Sequence, residues 1–273
     1  MRTFFGALFF LITSFSFAQT YRVTKISFEM YPIKDNQKVF KSEKVFSYSD
    51  NKLSAITETV NNNSTVYAVE QKGRKFTISA GKDNVLRKIV LDKAENIESN
   101  DVPDGIDIDY NKSNLPEAIT NKDGFNKQKM KYRLYYDDDN KLQVVARDET
   151  YSDPNYLLFY DKNNKCNKVE QGFGDETITA EWKGDKITNI SGYENGSAHV
   201  SNHQFIYDSR GLLIEEKLFE KQKDGKEILT RYYKLDYEEG VGNEDKLYFA
   251  FRNWKLNVFF NQKTCQSTIL LAY

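Results

Sequence analysis

YRLYYDDDNKLQVV at residues 132–145 and YLLFYDKNNKCNKV at residues 156–169 are near copies of one unit. Each reads as a strand that ends on an aromatic (Tyr136, Tyr160), a polar turn led by Asp137 or Asp161, and a second strand opened by Leu142 or Cys166. The first strand alternates: Tyr132, Leu134 and Tyr136 share one face, as do Tyr156, Leu158 and Tyr160. A period of two marks a strand with one buried face. Tyr135, Leu157 and Phe159 make the opposite face apolar as well, so these strands are open to cover on both sides, or to lipid or a partner. The Asp after the aromatic can accept a backbone N–H two residues on, closing an Asx turn. Asn140 and Asn164, four after the aromatic, tolerate the left-handed backbone that a type I turn with a bulge requires.

Further copies lie on both sides. FSYSDNKLSAI at 46–56, IDIDYNKSNL at 106–115, ITAEWKGDKITNI at 178–190 and FIYDSRGLLI at 205–214 repeat the unit, and degenerate copies are expected at 66–78 and 89–97. The late aromatics fall at positions 110, 136, 160, 182 and 207, the spacing of one hairpin plus its return. In the second strand, Leu53 and Ile56, Leu142 and Val145, and Ile187 and Ile190 are three apart, which one face of a regular strand cannot hold. Either the first of each pair still belongs to the turn or a bulge separates the two. Residues 212–223 could form an amphipathic helix, but after a turn they read as a long strand. Strands are also expected at 232–237, 246–251, 255–261 and 267–273, around an acidic loop at 238–245. The fold expected is all-β: an antiparallel hairpin meander of about sixteen strands, in a closed or partly open barrel, since large open sheets curl and bare edges aggregate.

Composition agrees. The 273 residues include 18 Tyr and 19 Phe but only 4 Pro and 14 Gly, which favours strands joined by Asn, Asp and Lys turns. Thirty-nine basic and forty acidic residues are interleaved to a net charge of -1, leaving no basic face for nucleic acid. Residues 1–18 have a basic start, an apolar run at 4–17 and small residues before Gln19, the pattern of a signal peptide cleaved after Ala18. The apolar run is too short to span a bilayer. Residues 19–273 then form a single hairpin-repeat domain, secreted or periplasmic. An oxidising compartment permits a disulfide between Cys166 and Cys265, but Cys166 stands where the sister unit has Leu142, so a small buried hydrophobe is the simpler reading. Two cysteines cannot make a zinc site.

Tyr207, Asp208, Arg210, Gly211 and Leu212 resemble the tyrosine–aspartate (YD) repeat of secreted Rhs-type bacterial proteins, and Tyr136-Asp137 and Tyr160-Asp161 match it more loosely. The leader and successive hairpins also resemble an uncharacterised secreted bacterial family described as having a porin-like fold. One copy alone keeps the Arg-Gly of the repeat, Trp182 has no Asp after it, and the chain is too short for an Rhs shell. The resemblance implies a β-repeat fold and brings no catalytic residues.

Chemistry is sparse. His199 and His203 lack a third ligand at a zinc spacing and read as packing or solvated residues. Asp104, Asp107 and Asp109, and Asp137, Asp138 and Asp139, cluster oxygens as calcium sites do, but without EF-hand spacing they read as turns. Gly172 and Gly174 lack the third glycine and the helix of a dinucleotide loop. No G-x-S-x-G motif occurs. Trp182, Tyr193 and Trp254 could stack on sugar, though such aromatics usually pack in the core. No catalytic, cofactor-binding or metal residue is assigned, and no cofactor. The function expected is an exported binding or structural module without catalytic activity, its unknown ligand of the glycan or cell-envelope class and membrane association not favoured. The alternatives are an integral outer-membrane barrel and a polysaccharide-active hydrolase. Any site is expected where the pattern fails, at 193–203 or 238–245.

Overall fold

The alternation produces strands and turns only. The computed structural model describes residues 21–32, 39–81, 83–91, 93, 97–100, 106–122, 129–147, 156–172, 177–194, 198–222 and 224–241, and no helix occurs among them. The strands are β1 (Tyr21–Met30), β2 (Phe40–Ser49), β3 (Lys52–Val60), β4 (Asn63–Lys72), β5 (Lys75–Ser79), β6 (Val85–Leu91), β7 (Ile97–Asn100), β8 (Ile106–Tyr110), β9 (Pro116–Lys122), β10 (Lys129–Tyr136), β11 (Leu142–Arg147), β12 (Tyr156–Tyr160), β13 (Cys166–Gln171), β14 (Thr177–Lys183), β15 (Lys186–Glu194), β16 (Ala198–Tyr207), β17 (Leu213–Lys221) and β18 (Glu227–Glu239). Each pairs antiparallel with its neighbours in sequence. β18 pairs back with β1, from Tyr21 opposite Glu239 to Met30 opposite Arg231. Every strand therefore has a partner on both sides, and no edge is left bare for aggregation.

The signal peptide, Asp104, Gly174, Trp254, Cys265 and the strands expected beyond 241 lie outside the described residues. Leu213–Lys221, within the stretch that could have formed a helix, is β17. The eighteen strands exceed the sixteen expected because one unit is split: β18 supplies its first strand and β1 its second, at opposite ends of the sequence.

The three-residue spacing in the second strands is a bulge. Tyr135 faces Val144 but Tyr136 faces Leu142, leaving Gln143 as the extra residue. Ser54, Glu117, Asn167, Thr188 and Ile214 are the extra residues of five other units. An inserted residue leaves part of the ladder unpaired. The aromatic of the next unit fills that gap. The hydroxyl of Tyr160 donates to the Leu142 carbonyl at 2.6 Å, Tyr136 to Pro116 at 2.7 Å, Tyr207 to Ile187 at 2.9 Å, Tyr237 to Leu213 at 2.8 Å and Tyr48 to Val23 at 2.5 Å. Trp182 does the same through its indole N–H, to Cys166 at 2.8 Å. These bonds stitch six of the units to the one before each.

The turns have the expected chemistry. Asp137 Oδ1 accepts the N–H groups of Asp139 and Lys141, Asp161 those of Asn163 and Lys165, and Asp208 those of Arg210 and Leu212. Asn111 does the same without a charge, for Ser113 and Leu115. Asn114, Asn140, Asn164 and Gly211 take the left-handed backbone. The Lys186 ammonium lies against Gly211 and donates to its carbonyl at 2.6 Å.

The inward residues of every unit meet in one apolar cluster, in which Ile56, Ile78, Ile119, Val145 and Leu213 have no exposed surface. A round barrel of this many strands encloses a water channel. Complete burial of side chains midway along a strand requires atoms above them as well as beside them, so the interior is filled rather than an open channel.

Two predictions follow from the turns and their stitching. Tyr160→Phe loses one such bond and costs about 1 kcal/mol of unfolding free energy in urea titrations. Tyr135→Phe, on the half-exposed outer face, stays within about 0.5 kcal/mol. The N–H of Lys141 holds the Asp137 carboxyl below its ordinary range, and that of Lys165 does so for Asp161. At Asp208 partial burial pushes upward, and Leu212 N–H with Arg210 outweighs it. Groups with lowered folded pKa values stabilise the fold above the ordinary carboxylate range and lose that contribution as pH falls through the lowered values. Replacing Asp137, Asp161 and Asp208 together by Asn, on the precedent of Asn111, therefore keeps the turns and shifts the acid-unfolding midpoint to lower pH by circular dichroism.

Candidate functional site

In six second strands the residue three beyond the opening is a buried aliphatic: Ile26, Ile56, Ile119, Val145, Val169 and Ile190. In β17 that place is held by Glu216, with no exposed surface. The residue four before the closing aromatic is a buried tyrosine at Tyr132, Tyr156 and Tyr233. In β16 it is His203, also buried. Lys44, Ile106 and Ile178 hold that place before Tyr48, Tyr110 and Trp182, and His203 and Glu216 fall in the same unit and meet: His203 Nδ1 lies 3.4 Å from Glu216 Oε1. Facing strands bring them together diagonally, since His203 pairs with Leu218 and Glu216 with Phe205. The His203 ring lies nearly parallel to that of Phe205.

Around the pair, Thr230 is the extra residue of the β17–β18 bulge and donates to the Leu218 carbonyl and to Glu220 Oε1, both at 3.3 Å. Glu216 Oε2 is buried without a hydrogen-bond partner. Burial raises the Glu216 carboxyl pKa, and the opposing pulls of His203 and Arg231 do not cancel that rise. Burial, with Glu216 near, also pushes the Tyr207 hydroxyl up to about 12. A buried carboxyl with a raised pKa beside an imidazole can hold and pass a proton. The enclosure limits the chemistry: both side chains are almost fully covered, which leaves no room for a polymer substrate.

An open cleft of about 500 Å³ lies elsewhere, lined by Ser27, Glu29, Lys41, Glu43, Thr59 and Asn62 among others. Within it Glu29 accepts hydrogen bonds from Tyr31 and Lys41. The bond to Glu29 holds the Tyr31 hydroxyl up at about 12.

Of the residues singled out in the sequence, His203 belongs to the buried pair and Tyr193 lies half-buried in β15, whose register with β16 shifts beside it. His199 pairs with Tyr193 across that shift. Asp107 and Asp109 lie in β8, where Asp109 pairs with Lys131; Asp138 and Asp139 stand on an exposed turn. Gly172 follows β13. No group of three or more metal-ligating side chains occurs among the described residues. Trp182 packs against the core. Cys166 is a buried core residue, its thiol pushed up to about 12 by burial. Glu238 carries no chemistry of its own: it binds Arg22 of β1 at 2.7 Å. Glu216 escaped the sequence reading, although aligning the units on their aromatics exposes it as the one acid in an aliphatic column.

No protein-family model matches the chain, and no curated protein matches it. Solved structures similar to it include a porin-like protein from Bacteroides uniformis, at 13% identity and a TM-score of 0.42 over 79% of this chain and 98% of that one. Another is TcdB2–TccC3, at 11% identity and a TM-score of 0.30 over 70% of this chain and 11% of that one.

A raised folded pKa makes the Glu216 contribution largest below the ordinary carboxyl value of about 4.3 and removes it as pH rises through the raised value. Glu216→Gln keeps the volume and removes the titration. The stability of the native protein relative to this variant falls as pH rises above the ordinary carboxyl range, read as the difference in urea midpoints. A constant difference contradicts the assignment.

Proposed function

We propose that the protein is an exported, water-soluble β-barrel module that acts by binding or as a structural element rather than by catalysis. One observation carries this reading: the core aliphatic and aromatic residues point inward along the barrel, where Lys44 also pairs with Glu58, and the outward face carries most of the ion pairs. Lys25 pairs with Glu43, Lys168 with Glu170, Lys217 with Glu215 and Lys131 with Asp109, all on strand faces turned away from the core. A barrel that crosses an outer membrane needs the reverse, an apolar outer band about 25 Å tall. Of the exposed apolar residues, Val45 and Tyr135 share their strands with these charges, and Val66, Phe159 and Ile206 are scattered over β4, β12 and β16.

The leader pattern at 1–18 supports export, to the periplasm or beyond. The Tyr-Asp turns support kinship with YD-repeat proteins. The ligand class that suits an envelope protein with half-exposed aromatics is a glycan or other envelope component. The enclosure of His203 and Glu216 speaks against a hydrolase of long polysaccharides.

Expressed with its leader in a Gram-negative host, the protein is recovered in the periplasmic or extracellular fraction without detergent, as a chain starting at Gln19. Its mobility on gels does not change with heating. Retention in a urea-resistant outer-membrane fraction with heat-modifiable mobility overturns the reading.

A further inference from the structure

We propose that β1 is an exchangeable closing strand, and that the slot between β18 and β2 accepts β1 from a second copy of this chain, giving strand-swapped dimers. The slot is one repeat unit assembled from two distant pieces. Val23 takes the place held by Leu53, Leu142 and Leu213 in other units, buried like them. Thr24 is the extra residue of the bulge opposite Tyr237 and Asp236, as Gln143 and Ile214 are in theirs. Ile26, three further on, fills the aliphatic column. The Val23 carbonyl accepts the Tyr48 hydroxyl, as the Ile187 carbonyl accepts that of Tyr207. Arg22, one before Val23, stacks 4.2 Å over the Tyr48 ring, as Lys186 lies 5.0 Å over Tyr207 and Lys165 5.3 Å over Trp182.

The seam lacks the short turn that joins the two strands of the other units. In the β16–β17 unit, Asp208 and Leu212 close that turn within five residues. Between β18 and β1 its place is taken by side chains: Arg22 bonds to Glu238 and to the Val241 carbonyl. On the reading under Proposed function that the leader is removed after Ala18, β1 is joined covalently to the rest of the barrel at its Met30 end. A second copy's β1 brings the same Arg22, Val23 and Ile26 to the same partners, so the exchanged seam contains the contacts of the closed monomer. Exchange of an identical element between copies is a low-cost route to dimers.

The test uses the full mature chain with Cys265→Ser and the buried Cys166 left in place. Ser27 faces Lys234 across the seam, and Gln204 faces Lys217 within the β16–β17 hairpin, all four on outward faces. S27C/K234C in one chain gives a disulfide-linked monomer that runs fast on non-reducing gels. Separate S27C and K234C chains, one enlarged by a tag, are mixed at high concentration in mild urea, returned to buffer and oxidised. They give mixed-size dimers several-fold above those from Q204C and K217C chains treated alike. Equal yields from the two mixtures, or no mixed dimer while the double variant links within one chain, overturn the proposal. Failure of the double variant to link overturns the seam itself.

Discussion

The barrel depends on a hydrogen bond between units that do not share a hairpin. A bulge at the opening of most second strands lets two residues three apart, apolar in all of these but β17, both point inward, at the cost of the regular ladder there. The aromatic of the following unit restores the loss by donating to the carbonyl beside the bulge, as Tyr160 does to Leu142 and Trp182 to Cys166. A tyrosine hydroxyl and an indole N–H serve equally because only a donor on a long flat side chain is needed. The same side chain fills the core with its ring and closes the backbone with its tip, so aromatic, bulge and apolar pair recur together.

This coupling explains which parts of the fold were legible in the sequence. Tyr136-Asp137 and Asn140 announce a turn because each residue type answers a local backbone demand, and the hydrogen bonds at Asp137 meet it. The spacing of Leu142 and Val145 implied a bulge or a longer turn, and the register selects the bulge. The split unit was not legible. Val23-Thr24-Lys25-Ile26 has the spacing of a second strand, but its first strand ends at Tyr237, and nothing local in either segment identifies the other. Long-range pairing is a property of the closed sheet, not of any window of sequence.

The buried pair was half legible. His203 lies in the segment where the repeat was expected to fail, and it does fail there. Glu216 was hidden because in isolation it reads as a surface acid within LIEEKLFEK, between Glu215 and Lys217, which do pair with each other on the outer face. Only the bulge at Ile214 turns Glu216 inward, since without it Glu215 would take the inward position. A polar substitution in the aliphatic column is costly unless a second one meets it, and the departures at His203 and Glu216 in one unit satisfy that condition for one of the two carboxylate oxygens.

The antiparallel seam also sets how the barrel answers tension. Tyr21 and Glu239 lie side by side at one end of β1 and β18. A pull applied at these two points acts across the ladder rather than along it. It opens the seam like a zip, each backbone pair carrying the load in turn instead of all sharing it in shear. Tethers at residues 21 and 239 would therefore load the barrel in its mechanically softest direction.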